Sequence, residues 1–174
     1  MSIVKEKEIG TIEQINVTPI RKHELIIGKL IPFFIIAMFE LGLGLTIVRI
    51  IFNIPIVGSI WLIFLFAGLY LIVALSVGLI ISTFTDTQQQ AMFVTWFIMV
   101  IFILMSGLFT PFQSMPVRAQ LITWFNPVAY FIDVMRMVML KGSGFADIQR
   151  HFVILSIYAV LSTSYAIFRY KKVN

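Results

Sequence analysis

The sequence predicts an all-α integral membrane protein. Three observations carry that prediction. Of 174 residues, 60% are hydrophobic and only 12% charged, and the mean hydropathy is +1.00, which leaves too little polar surface to coat a soluble domain of this size. The apolar residues gather into runs of about 20, the length a helix needs to cross a hydrocarbon core ~30 Å thick. Lys and Arg sit mainly in the intervening segments and at the ends of the chain.

Four runs read as spanning helices, over about 30–51, 60–84, 91–109 and 152–168. The first is interrupted only by Glu40 and Arg49, and the other three contain no charge. The fourth is slightly short, which flanking anchors such as Tyr170 and Lys171 would accommodate.

A fifth apolar stretch carries Arg118, Asn126, Pro127, Asp133 and Arg136, each costly against lipid. Such a segment stays at membrane depth only where protein or water satisfies its backbone, so 112–141 is expected to be a re-entrant or interfacial pair of short helices. Ser114 is placed to cap the first of them, with Pro116 in its first turn. Asn126-Pro127 breaks the pair, because the residue before a proline avoids the helical region. Asp133 and Arg136, three apart on one helix face, are expected to neutralise each other. Lys141-Gly142-Ser143-Gly144 supplies the glycine that follows a helix C-terminus.

Topology follows from the basic residues, since positive loops stay cytoplasmic. Four spans place the first 29 residues, the 82–90 loop and the basic tail on one side with eight Lys or Arg, and leave five on the other. Five spans would separate the two basic termini, so the bias favours four spans, a re-entrant segment and both termini in the cytoplasm. The net charge of +5 thus reports topology, and no nucleic-acid partner is expected.

Chemistry is harder to find. With no cysteine, disulfides and thiolate metal sites are excluded, and His23 and His151 fall at opposite expected membrane faces, so no metal and no cofactor is expected. Neither H-E-x-x-H nor G-x-S-x-G occurs. Gly28-Lys29 is followed by Leu30 where a phosphate-binding loop needs Ser or Thr. No catalytic residues are assigned, and the chain is not expected to be an enzyme.

Residues 1–24 form a polar preface to the membrane domain of 25–174. Ile3, Ile9, Ile12, Ile15 and Val17 give an intermittent apolar face, with Lys5, Glu6, Lys7, Glu8 and Glu13 solvated. Thr18-Pro19 reads as an N-cap and first helical residue leading into the membrane. Physics alone makes this an amphipathic juxtamembrane helix.

Glu6-Lys7-Glu8, Gly10-Thr11, Glu13-Gln14 and Val17-Thr18-Pro19-Ile20 together resemble a hallmark loop of the type-2 ABC transporter permeases. The same resemblance continues through Gly28-Lys29, Gly78 to Thr83, Thr87 to Met92, Ser106-Gly107, Pro111, Met115-Pro116, Asn126-Pro127 and Leu140-Lys141-Gly142. It covers essentially the whole chain in order. By that resemblance the preface is a coupling helix that docks on a separate ATP-binding subunit. Glu6, Glu8, Gly10, Thr11, Glu13 and Gln14 are the expected contacts, and ATP hydrolysis resides in that partner. The re-entrant pair lies at the outer face. A second permease copy, as homo- or heterodimer, a periplasmic adaptor and a bacterial inner membrane are implied. Ile9 departs from the polar residue usual at its position. Family members also carry a further membrane helix, a large extracytoplasmic domain and a second helix before this loop, so the chain is expected to be a truncated product or fragment, or to take the missing half from another polypeptide, and upstream helices are implied. A small structural or pore-forming homo-oligomer is the alternative.

Two intramembrane features complete the reading. A carboxylate in mid-span, Glu40 is expected to face a pore, a basic partner or a packing contact, or to be protonated. Ala74, Gly78 and Ser82 recur every fourth residue as a small-residue stripe for close helix approach.

Overall fold

A computed structural model describes residues 4, 8, 22–109 and 114–169. Among them are six helices: α1 (Lys22–Ile50), α2 (Ile60–Phe84), α3 (Gln88–Leu104), α4 (Val117–Trp124), α5 (Pro127–Lys141) and α6 (Phe145–Arg169). Most of the N-terminal segment expected to couple to an ATPase, including Glu6, Gly10, Thr11, Glu13, Gln14 and Thr18-Pro19, lies outside the described residues, as does the tail beyond Arg169.

Three helices are long and apolar enough to cross a membrane, within Ile26–Ile50, Ile60–Phe84 and Phe145–Arg169. At 1.5 Å per residue each runs roughly 37 Å. The boundaries correct two sequence expectations. α6 begins seven residues before the expected 152, because Asp147 accepts from the Gly144 N–H at 2.9 Å and puts its negative charge on the first turn. Asp147 and Arg150 thus lie inside the helix although both are charged. α3 has only 17 residues, roughly 26 Å, and stops five residues short of the expected 109. There Ser106 bonds back to the Ile103 carbonyl at 2.6 Å, and Gly107 takes φ +80°, a conformation that suits glycine. Hydropathy continues through Phe109, but the helix does not.

α2 is the axis of the bundle. It packs against α6, α5, α1 and α3, and Phe66, Ile63 and Val73 on it are each 1% exposed. One core cluster joins Leu45 of α1, these α2 residues, Val134 and Val138 of α5, and Ile148, Leu155 and Ala159 of α6. A smaller cluster of Ile26, Leu79 and Ala166 closes the opposite end. There Arg169 sits 5.1 Å over the Phe84 ring. The start of α1, the end of α2 and the end of α6 therefore share one end of the bundle.

α5 is held by the loop between α1 and α2. Val57 and Gly58 donate backbone N–H bonds to the Met139 and Val138 carbonyls, each at 3.1 Å, satisfying two of the carbonyls a helix end leaves open. The approach is so close that a Cβ on Gly58 would collide with the Val138 carbonyl. Gly142 ends α5 at φ +67°, as expected of the glycine in that position.

The small-residue stripe does not serve close helix approach. A Cβ on Gly78 would meet nothing within 4 Å. Ala74 and Gly78 instead line an apolar cavity of about 70 Å³ between α2, α3 and the start of α5. Ser82 donates to Leu79 of its own helix at 2.6 Å. The polar link between spans is Ser76 with Thr163, 2.8 Å apart on α2 and α6.

Candidate functional site at the two ends of α3

At the end of the bundle shared by the 82–90 loop, α3 starts with a well-formed cap. The Thr87 hydroxyl accepts from the Gln90 N–H at 3.2 Å, and the Gln90 side-chain oxygen accepts from the Asp86 N–H at 3.3 Å. This side-chain exchange resembles a capping box. Glu8 adds to it from the N-terminal segment: its Oε2 accepts from the Gln88 side-chain amide at 2.9 Å and from the Gln88 N–H at 3.2 Å. A carboxylate at a helix N-terminus meets open N–H groups and the positive end of the helix dipole. Of the six residues expected to contact an ATPase, Glu8 alone is described, and it touches this chain. Nothing in the sequence pattern points across the 80 residues between the two.

The opposite end of α3 is closed by side chains of the broken segment. Asn126 Nδ2 donates to the Phe102 carbonyl at 2.6 Å, Thr123 Oγ1 to Met105 at 3.1 Å, and Arg136 to Gly107 at 2.9 Å. Asn126 is fully buried. It also caps α5, its side chain accepting from Val128 at 3.0 Å, with Pro127 at the first helical turn. Asn126-Pro127 thus breaks the segment as expected, and additionally starts one helix while ending another. Pro116 lies just ahead of α4 rather than inside its first turn, with Ser114 in the preceding turn.

Beneath this junction lies a cavity of about 370 Å³ whose wall includes Trp124, Tyr130, Asp133, Arg136, Arg150 and His151. Asp133 and Arg136 do not meet directly: His151 Nε2 lies 3.5 Å from Asp133, while the Arg136 guanidinium donates to the Gly107 carbonyl, where a cation suits the end of a helix, and reaches Asp133 through its field. The hydrogen bond from His151 holds the Asp133 carboxyl below its usual range, aided by the fields of His151, Arg136 and Lys141 and opposed by partial burial. Spacing along α5 reveals the Asp133–Arg136 relation but not the partner on α6.

Glu40 is exposed on α1 and so faces away from the bundle formed by this chain. Around it Ile36, Phe39 and Leu43 are likewise exposed.

The ABC-2 type transporter family model matches residues 1–140. The chain belongs to that family. Its match to the ABC-2 model runs from the N-terminal segment through most of α5. Among relatives of this ABC-2 chain, a probable multidrug ABC transporter permease, YbhR of Escherichia coli, is 34% identical over 173 residues, covering 98% of the chain and 47% of the relative. The Escherichia coli inner membrane transport permease YhhJ is 27% identical over 172 residues, again 98% of the chain and 46% of the relative. ABC transporter G family member 20 of Dictyostelium discoideum is 29% identical over 147 residues, 83% of the chain and 20% of the relative. The chain therefore spans about half the length of the bacterial relatives. No solved structure matches it.

Proposed function

We propose that this ABC-2 chain forms the membrane-spanning part of an ATP-driven exporter in a bacterial inner membrane, with ATP hydrolysed by a separate subunit. In this reading α1, α2, α3 and α6 span the bilayer, both termini are cytoplasmic, and α4–α5 re-enter from the outer face. The observation that carries it is α3 itself. Its cytoplasmic end takes Glu8 of the coupling segment, and its outer end is capped by Asn126, Thr123 and Arg136. A displacement of the coupling segment by a closing ATPase dimer would reach the outer face along one helix.

A place in the inner membrane and transport of multiple drugs are suggested by the names of the relatives. Glu40 and the bare face of α1 fit a second permease copy or further helices of a longer protein, since a mid-membrane carboxylate is stable only against protein, water or a basic group. A periplasmic adaptor completes the reading.

The test is affinity capture of the tagged chain from mildly solubilised native membranes. Wild type should bring down an ATP-binding subunit. Glu13→Arg should lose it, while Glu8→Gln should keep it and lose the coupling of ATPase rate to transport. Recovery of stable homo-oligomers with no ATPase would replace this reading with the pore-forming one.

A further inference from the structure

We propose that the outer cavity between α3, α4, α5 and α6 is a binding site for the headgroup of a zwitterionic phospholipid bearing a primary ammonium. The inference rests on the outer-face placement of α4–α5 but needs neither an ATPase nor a transported substrate.

The wall of the cavity carries both signs of charge. Arg150 is exposed on α6 and lines the cavity with Arg136, which spends one N–H on Gly107 and keeps others of its five donors. Two guanidiniums suit a phosphodiester, whose oxygens they can bond in a planar fork. Asp133 supplies the opposite sign, with its side chain 64% exposed, so it is reachable. Beside it His151 Nε2 lies 3.5 Å from the Asp133 carboxylate and fixes where that carboxylate sits in the wall. A phosphate next to an ammonium matches this pairing. A phosphate alone would leave Asp133 facing a second anion.

The rim indicates an amphiphile rather than a soluble zwitterion. Leu121, Trp124 and Phe125 on and just after α4 are 58%, 60% and 73% exposed, so an apolar collar stands next to the charged wall. Trp124 and Tyr130 also belong to the residue types that settle at the headgroup level of a bilayer. The volume of about 370 Å³ falls within the usual range for small-ligand sites, enough for a headgroup with its acyl chains left outside on the collar.

A primary ammonium carries three N–H donors for Asp133 and its surroundings, whereas a quaternary ammonium carries none. The site should therefore prefer phosphatidylethanolamine to phosphatidylcholine, and Asp133 should be the residue that makes the difference.

Native mass spectrometry of the purified chain in detergent would test this by titration with dioleoyl phosphatidylethanolamine, phosphatidylcholine and phosphatidylglycerol, and with free phosphoethanolamine as competitor. Wild type should bind the ethanolamine lipid most tightly. Arg150→Ala should weaken all three lipids, by roughly tenfold for loss of a charge-assisted bond. Asp133→Asn should weaken the ethanolamine lipid several-fold and leave phosphatidylglycerol unchanged or improved. Arg118→Ala, on α4 but outside the cavity wall, is the control and should change nothing. Circular dichroism and elution volume establish that each variant remains folded. Equal binding of the three lipids, or indifference to both Arg150→Ala and Asp133→Asn, overturns the site. Competition by phosphoethanolamine at concentrations like those of the lipid overturns the assignment to a lipid. Loss of the ATPase in the capture experiment would leave these outcomes unaffected, so the two proposals fail separately.

Discussion

α1 and α2 are built from similar residues and live in different surroundings. Both are apolar over 25 residues, yet only 6% of the most apolar stretch of α1 is buried within the chain, against 39% for α2. On α1, Phe33, Ile35, Ile36 and Phe39 look outward, while on α2 Ile63, Phe66 and Val73 are enclosed. The contrast shows what hydropathy can decide. It reports that a helix prefers lipid to water, and lipid and protein interior look alike to it. Neighbours are chosen by shape and by a few polar contacts.

The largest expected effect comes from removing bulk on the enclosed helix. Phe66→Ala opens a hole amid α1, α2, α5 and α6 and should cost about 3 kcal/mol, the low end for such a truncation, because a lipid-solvated unfolded state recovers little transfer energy. Phe39→Ala on α1 should cost the isolated chain almost nothing. Unfolding of the two variants in mixed micelles, followed by circular dichroism, would measure both. Equal losses would erase the distinction between the helices. If α1 instead meets a second copy or further helices, Phe39→Ala should reduce association on a sizing column while leaving the fold intact.

Second in size is Gly58→Ala. Its Cβ would be driven into the Val138 carbonyl, so the loop must lift and release the two backbone bonds that end α5. A loss of about 2 kcal/mol is expected, from overpacking plus unpaired carbonyls. Gly78→Ala makes the sharper comparison: with nothing within 4 Å of the added methyl, and alanine the better helix former, it should be neutral or raise the melting temperature. A loss at position 78 equal to that at 58 would mean that the stripe on α2 is a tight interface after all.

Much of this arrangement was legible in the sequence and the remainder was not, for physical reasons. Local signals came through: apolar length located α1 and α2, Asn126-Pro127 located the break, and Gly142 located the end of α5. Features set by distant residues did not. The end of α3 depends on side chains contributed by Thr123, Asn126 and Arg136. The partner of Asp133 lies on another helix. Glu8 reaches Gln88 across 80 residues. A periodic pattern records which face of a helix is special but does not name what that face will meet.

Asn126→Ala isolates the value of one such distant contact. The substitution removes the cap of α5 and the donor to Phe102 together, in a fully buried setting. Caps are worth about 1 kcal/mol, and a buried carbonyl left open about as much again. Asn126→Asp separates the two through pH: it keeps the accepting oxygen for Val128 throughout, and its second oxygen donates to Phe102 only while protonated. Thermal unfolding should therefore show the Asp variant falling further below wild type as pH rises and the buried carboxylate ionises against the Phe102 carbonyl, while the gap between wild type and the Ala variant stays constant with pH.

The smallest effect belongs to the Ser76–Thr163 pair on α2 and α6. Polar contacts between membrane helices average about 0.6 kcal/mol, because the unfolded helices also find partners in the bilayer. Ser76→Ala and Thr163→Val should each cost about that much, and the double variant no more than either alone. Additive losses would mean that the hydroxyls stabilise through separate neighbours. Helix choice around α2 would then be governed by the apolar fit of Phe66 and Val73 alone, and the polar link between the spans would be incidental to it.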